Sequence, residues 1–562
     1  MELPKGICNL LNLQHLDIIG TTKLQEMPPH IGNLTSLRVL TKFVIGKGNE
    51  QITELKKLSD LQGQLHITSL ENVEVEDIRD VGVANLKDKP GITELCLEWI
   101  DKFSSDLRNS SDEEQVLDSL RPHRRLSSLS ITSFGGREFS SWLGEFSFSS
   151  MVQVKLSNCC QITSLPPLGR LKSLKKLSIE SLSGVKEVGV EFYEDDSCFS
   201  CLEALEISNM GQWDLWAWHN GVGGDSVAKF PKLHELRIQS CPKLVGKLPT
   251  FLPSLEKLVI SNCLLLVDLP AVLPSLKNIH ISNCPQLVDL PEVLPSLVTL
   301  SIRRCQEAVL RRVTNATSLI SLKHLEIKGC NELVSLVDGK EGLLPCNLEI
   351  LNIHVCPNLK ELPSGLNNLK SLKDLSISQC GSLVSFPARG LPHSLIRLRI
   401  DNCDSLASLP EGIVSHSGAT SHLEEIHIFR CKSLRYPSNG KFPDSLKTLH
   451  IHNWATQLLN SLQLSHLTVL QIRNCPQLES FQGRELHMPT LVSLEIFGCE
   501  RLRSLSSHMQ NLQSLQNLTI WNCHQLEFFP EVGLPNPKLV FFQIDQCKNM
   551  RSLPNQMQNC WR

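Results

Sequence analysis

Twenty-one cysteines and nineteen histidines stand in a chain of 562 residues, and these are the residue types from which a metal site, a disulfide framework or a nucleophile is built. Spacing decides among them. Fourteen of the cysteines (Cys159, Cys241, Cys263, Cys284, Cys305, Cys330, Cys356, Cys380, Cys403, Cys431, Cys475, Cys499, Cys523 and Cys547) follow one phrase, an apolar-x-apolar triplet that ends three residues earlier. A zinc site needs paired cysteines or histidines converging on one point, and one cysteine per repeated phrase does not converge. Neighbouring strands about 4.8 Å apart would bring such Cα atoms within bridging range. Parallel side chains and the lack of a secretory signal nevertheless predict reduced thiols. The remaining reading is packing, since a free cysteine behaves as a small buried hydrophobe with a weak S–H donor. Other chemistry is not spelled. The Gly/Lys clusters GKGN at 46–49 and DGKEG at 338–342 lack the spacing of a phosphate loop and read as turns, and HExxH and GxSxG are absent. No catalytic residue, metal or cofactor is expected.

The elements that position these cysteines emerge where the chain repeats itself. SLEKLVISNCLLLVDLP from Ser254 and SLKNIHISNCPQLVDLP from Ser275 are one sentence at a step of 21 residues. A step in the twenties with the pattern LxxLxIxxCxxLxxLP marks a leucine-rich repeat. Leu258 and Ile260 alternate with exposed neighbours, as a half-buried strand requires, so Val259 points the other way. Cys263 comes three positions on, which breaks the period of two and marks a bend. Leu266 and Leu269 then cover the return arm, and Pro270 stops it. The predicted fold class is an α/β leucine-rich-repeat solenoid, curved, with a parallel sheet on its concave face and short or irregular helix on the convex side.

Taken in order, 1–150 reads as irregular repeats with loop insertions, 151–232 as repeats with a Trp-containing insertion, and 233–562 as regular cysteine-bearing repeats in one continuous solenoid. The period lapses from Gly46 to Gln64, and 72–89 reads as helix. Residues 101–115, DKFSSDLRNSSDEEQ, read as a solvated acidic loop followed by a short helix closed by Arg121 and Pro122. Trp213, Trp216 and Trp218 read as cover for the convex arm, a sugar or cation platform being the sharper alternative. The formal net charge of -3 carries no nucleic-acid footprint. No apolar run approaches the roughly 18 residues of a membrane span, and the chain is expected to be cytoplasmic.

With catalysis set aside, the exposed side of the strands is the candidate working surface. The residue after each LxI forms a column across rungs: Ser282, Arg303, Lys328, His354, Ser378, Asp401, Phe429, His452, Arg473, Phe497, Trp521 and Asp545. Its later part sets Phe429, Phe497 and Trp521 outward with His452 and Arg473 between them, while His450 and Phe541 fall in neighbouring columns. Aromatics and arginine are enriched at binding hot spots, so Phe429, His452, Arg473, Phe497 and Trp521 are the candidate protein-binding residues.

The first third carries more than a generic repeat. LQEMPPHIGNLTSLRVLTKFVIGKG, ENVEVEDIRDVGVANLKDKPGITELCLEW and GVKEVGVEFY, with the later ISNC and LP units, resemble the leucine-rich-repeat region of plant intracellular disease-resistance proteins of the coiled-coil, nucleotide-binding, leucine-rich-repeat type. That resemblance implies a recognition module that senses a pathogen effector or a guarded host protein and restrains a nucleotide-binding switch domain. The upstream coiled-coil and nucleotide-binding parts have no counterpart in this sequence. A second reading is a leucine-rich-repeat substrate receptor of a ubiquitin ligase, faintly suggested by NCCQIT at 158–163, although the phrase ends in LP and no adaptor-binding segment precedes it.

Overall fold

A five-residue strand with two apolar side chains on one face has no core of its own, and the computed structural model shows how the chain supplies one. It describes residues 2–47, 51–73, 84–100, 109–193, 199–217, 229–245, 248–270, 272–311, 319–336, 344–409, 413, 422–435, 442–453, 464–480, 488–505, 509–528 and 538–551. Two compact units, Met1–Pro295 and Ser296–Arg562, divide the chain. In the first, a parallel ladder passes in chain order from Lys42–Val44 through Gly63–Thr68, Ile92–Glu98, Ser128–Thr132 and their successors to Lys257–Ser261 and Asn278–Ser282. In the second, another runs from Thr299–Arg303 to Phe541–Asp545. Apart from a shift between Gly63 and Gln64, the register is regular: Leu258 faces Ile279 and Ile260 faces Ile281, so equivalent residues stack into columns. Each unit is therefore a leucine-rich-repeat solenoid with few helices.

The inward columns are the core. Leu255, Leu258, Ile260, Cys263 and Leu266 are all fully buried, and each aliphatic one contributes on the order of 1.5–3 kcal/mol. Leu269 is half-exposed while Pro270 is buried. Val259 lies on the outward face, as alternation requires, but Arg237 and His280 flank it in register and leave it 7% exposed.

The bend after most strands is a left-handed residue. Asn262, Asn283, Asn402, Asn453, Asn474 and Asn522 have φ between 48° and 59°, a region asparagine enters more readily than other L-residues. From there the backbone N–H donates to the last strand carbonyl of the next rung: Asn262 to Ser282 at 2.9 Å, Asn453 to Arg473 at 2.9 Å, Asn474 to Phe497 at 2.7 Å. The cysteine that follows turns inward, and its Sγ donates to the carbonyl two residues back, as in Cys284 to Ser282 at 3.4 Å and Cys403 to Asp401 at 3.5 Å. Burial pushes the thiols of Cys159 and Cys431 up to about 12, which keeps them protonated and unreactive. In several rungs a hydroxyl ahead of the strand ties the rung to its predecessor, as Ser254 to the Pro231 carbonyl at 2.6 Å and Ser275 to that of Pro253 at 2.7 Å.

Several segments depart from the sequence expectation. The lapse after Gly46 contains a helix, Gln51–Lys57, whose Ile52 and Leu55 are buried. Behind that helix, the almost fully buried Lys89 ammonium donates to the Leu58 carbonyl at 2.6 Å. The acidic loop gives way at Ser110 to the helix Ser110–Ser119, because the Asn109 side chain caps it by accepting from Ser111 N. Its glutamates also have backbone partners: Glu113 accepts from Gly135 N at 2.6 Å and Glu114 from Arg137 N at 2.7 Å. Residues 101–108 and most of 72–89 lie outside the described residues, as do Trp218 and DGKEG. Trp213 and Trp216 are fully buried, packed ring to ring at 5.4 Å, so neither offers a platform to a sugar or cation.

One of the left-handed bend residues is β-branched. Val355 holds φ 56°, where a β-branched side chain crowds the backbone. Val355→Asn relieves this strain and is expected to stabilise the fold by about 1 kcal/mol, read as a higher urea midpoint. An unchanged or lower midpoint would show that Val355 is held there without strain.

Candidate partner-recognition face

The first, third and fifth residues of each strand face outward, so the unit Ser296–Arg562 presents three parallel columns. The fifth column begins in self-contained pairs. Arg303 Nη2 reaches both carboxylate oxygens of Glu326 at 3.0 Å, and His354 Nδ1 shares a 2.6 Å hydrogen bond with Ser378 Oγ. Beyond Asp401 its composition changes. Phe429 lies opposite Asp401, His452 opposite Arg473, Arg473 opposite Phe497 and Phe497 opposite Trp521.

All five expected residues thus stand in one register column. The Phe429 and His452 rings are 6.1 Å apart, and Phe497 meets Trp521 edge to face at 4.9 Å and 69°, a favoured aromatic geometry. Trp521 is 41% exposed, Phe429 and Phe497 are half-buried, and Arg473 is exposed with Nη2 3.5 Å from Glu495 Oε2. His452 accepts at Nε2 from Asn474 Nδ2, 3.0 Å away. That hydrogen bond fixes the neutral ring, in line with a pKa that burial holds below the ordinary value. Phe541 sits in the first column, opposite Asn517, and is 49% exposed.

Attention to the fifth column alone leaves out the third. His427 and His450 are direct register partners there, their rings 4.1 Å apart and edge to face. The spelling IHI followed one rung later by LHI was the available signal. Burial lowers the pKa of both. For His450 the nearby His427, Arg473 and Arg399 add to the effect and bring it to about 4. Among the described residues no group of three or more His, Cys, Asp or Glu is arranged to hold a metal ion, and no helix is long and apolar enough to cross a membrane.

The half-buried neutral imidazole of His450 links stability to pH. His450 titrates near 4 when folded against an ordinary 6.5, so in that window the unfolded chain binds the proton first. Its contribution to stability is whole above pH 6.5 and is lost as pH falls toward 4. His450→Gln is expected to flatten this part of the stability profile in denaturant titrations; a variant that follows the parent curve through the window would place the acid loss elsewhere.

Residues 52–182 match the family model described as R13L1/DRL21 leucine-rich repeats. A disease resistance RPP13-like protein 1 of Arabidopsis thaliana is 36% identical over 360 residues, covering 60% of this chain and 31% of that protein. A disease resistance protein RGA1 of Solanum bulbocastanum is 31% identical over 349 residues, covering 61% of this chain and 29% of that protein. Another from the same plant, RGA4, is 32% identical over 253 residues, 44% of this chain and 24% of its own length. The chain therefore spans about a third or less of these relatives. It is a leucine-rich-repeat chain similar to the repeat regions of plant disease-resistance proteins, with R13L1/DRL21 repeats at 52–182.

Proposed function

We propose that this chain is a non-catalytic recognition module in plant defence. The outward sheet face of Ser296–Arg562 captures a protein, either a pathogen effector or a host protein under guard, through Phe429, His452, Arg473, Phe497 and Trp521. Within a longer receptor, the repeats also restrain a nucleotide-binding switch domain. The setting is the cytoplasm. One observation carries the binding surface: Phe497 and Trp521 form an aromatic pair on the outward side of the sheet, with Trp521 41% exposed and Arg473 next to Phe497 in the column. A large aromatic left partly in water contributes nothing comparable to a buried one in the isolated chain, and it is the type of residue that gains most when a partner covers it. The disease-resistance relatives support the setting in defence.

Phe497→Ser combined with Trp521→Ser leaves every inward column intact. In a pairwise screen of the full chain against pathogen effectors and host proteins expressed in plant cells, the double variant is expected to lose at least tenfold in affinity for any partner the parent binds, with its unfolding midpoint unchanged. Capture at parental strength would end the assignment of this column.

A further inference from the structure

Beside the aromatic column, the strands Ile350–His354, Asp374–Ser378, Arg397–Asp401 and Glu425–Phe429 frame a cavity of about 400 Å³ on the same outward face, lined among others by Asn352, Ser376, Arg397, Arg399, Glu425 and His427. Its charges are unequally matched. Arg397 is fully engaged, with Nη2 2.7 Å from Asp374 Oδ2 and Nε on Oδ1. Glu425 Oε2 stands 3.8 Å from His427 Nε2. Arg399 is exposed and forms no hydrogen bond or ion pair among the described residues. In register it lies between Ser376 and His427, with His450 one rung further.

A guanidinium is a planar fork of five donors that matches a carboxylate in bidentate geometry. At Arg399 that fork is unused and faces the groove beside an edge-to-face imidazole pair. The net charge of the site selects the class of anion. Asp374 and Glu425 offset Arg397 and Arg399, so the lining is neutral before a ligand enters; a carboxylate adds one negative charge to it and a phosphate dianion two, so the singly charged group is the one Arg399 can hold. From this we infer that the groove takes an acidic side chain, Asp or Glu, carried on an extended segment of the partner protein. Arg399 is the bidentate anchor, and His427 and His450 form the wall against which that side chain packs. The inference rests on the reading of this face as partner-binding, but uses residues outside the aromatic column.

The test is binding of octaglutamate, octaglutamine, octalysine and inorganic phosphate to the full chain by isothermal titration at low salt. Octaglutamate is expected to bind, to weaken as salt is added, and to lose about tenfold or more in affinity in Arg399→Gln. Arg399→Lys should recover only part of the loss because the fork is gone. Arg501→Gln, which removes an exposed arginine bonded to Gln477, should bind as the parent does. Parental affinity in Arg399→Gln, equal binding of octaglutamine, or displacement of octaglutamate by equimolar phosphate would each overturn the inference. Phe497→Ser with Trp521→Ser separates the two claims. Retained octaglutamate binding with lost partner capture supports both. Retained binding with undiminished capture removes the aromatic column and leaves the groove.

Discussion

Each rung depends on a hydrogen bond that it cannot make by itself. The left-handed residue after the strand turns its backbone N–H along the stacking direction and gives it to the carbonyl of the next rung, as Asn262 gives to Ser282 and Asn474 to Phe497. The bend residues themselves are largely exposed, so each such bond contributes a net of only about 0.5–1.5 kcal/mol, and its weight lies in direction and repetition. The bond also sets the register of the strands on either side, and so aligns the inward leucines and isoleucines. Once the bend is fixed, the place two residues into the turn is narrow and dry with a carbonyl within reach, and cysteine fills it. The column of thiols is a consequence of this turn. It requires no metal or redox chemistry, and thiols that donate to carbonyls, as those of Cys284 and Cys403 do, account for it.

Magnitudes separate what holds the solenoid from what decorates it. Lysine–glutamate pairs recur between rungs, such as Lys277 with Glu256 at 2.8 Å and Lys447 with Glu424 at 2.8 Å, but their side chains are roughly half exposed. Exposed pairs of this kind contribute about 0–1 kcal/mol each. A single buried leucine outweighs several of them. Stability therefore resides in the inward columns and the bend, and the outward columns carry side chains whose identity the fold leaves open.

This division explains what the sequence made legible. Inward positions repeat because packing permits only a few residue types, so the strands, the cysteine column and the register of Phe497 with Trp521 could be read from a period alone. Segments where a local interaction substitutes for the period could not. The short helix expected after the acidic loop was legible, but its start at Ser110 was not: that follows from one asparagine cap and from two glutamates that find backbone partners a rung away, and such long-range bonds leave no spacing in the sequence. The pairing of His427 with His450 was missed for a different reason. Each histidine is unremarkable within its own rung, and only their opposition in the ladder makes a site of them.

The same opposition governs how the outward face works. On an unshifted parallel ladder, residues far apart in sequence become neighbours through backbone geometry that the outward side chains do not influence. Arg399 and His427 are set side by side by the pairing of Ile400 with Ile428, and Phe497 and Trp521 by that of Ile496 with Ile520. A residue on this face can therefore change without moving its neighbours, since the scaffold that places them is buried beneath. The neutral imidazoles illustrate the limit of that independence. Half-burial and nearby guanidinium groups hold His450 uncharged, so its charge state depends on residues as far as one column over or two rungs away, although its position does not. Placement on this face is local to the rung, whereas charge is shared across the columns, and any partner bound here must be matched to the shared quantity.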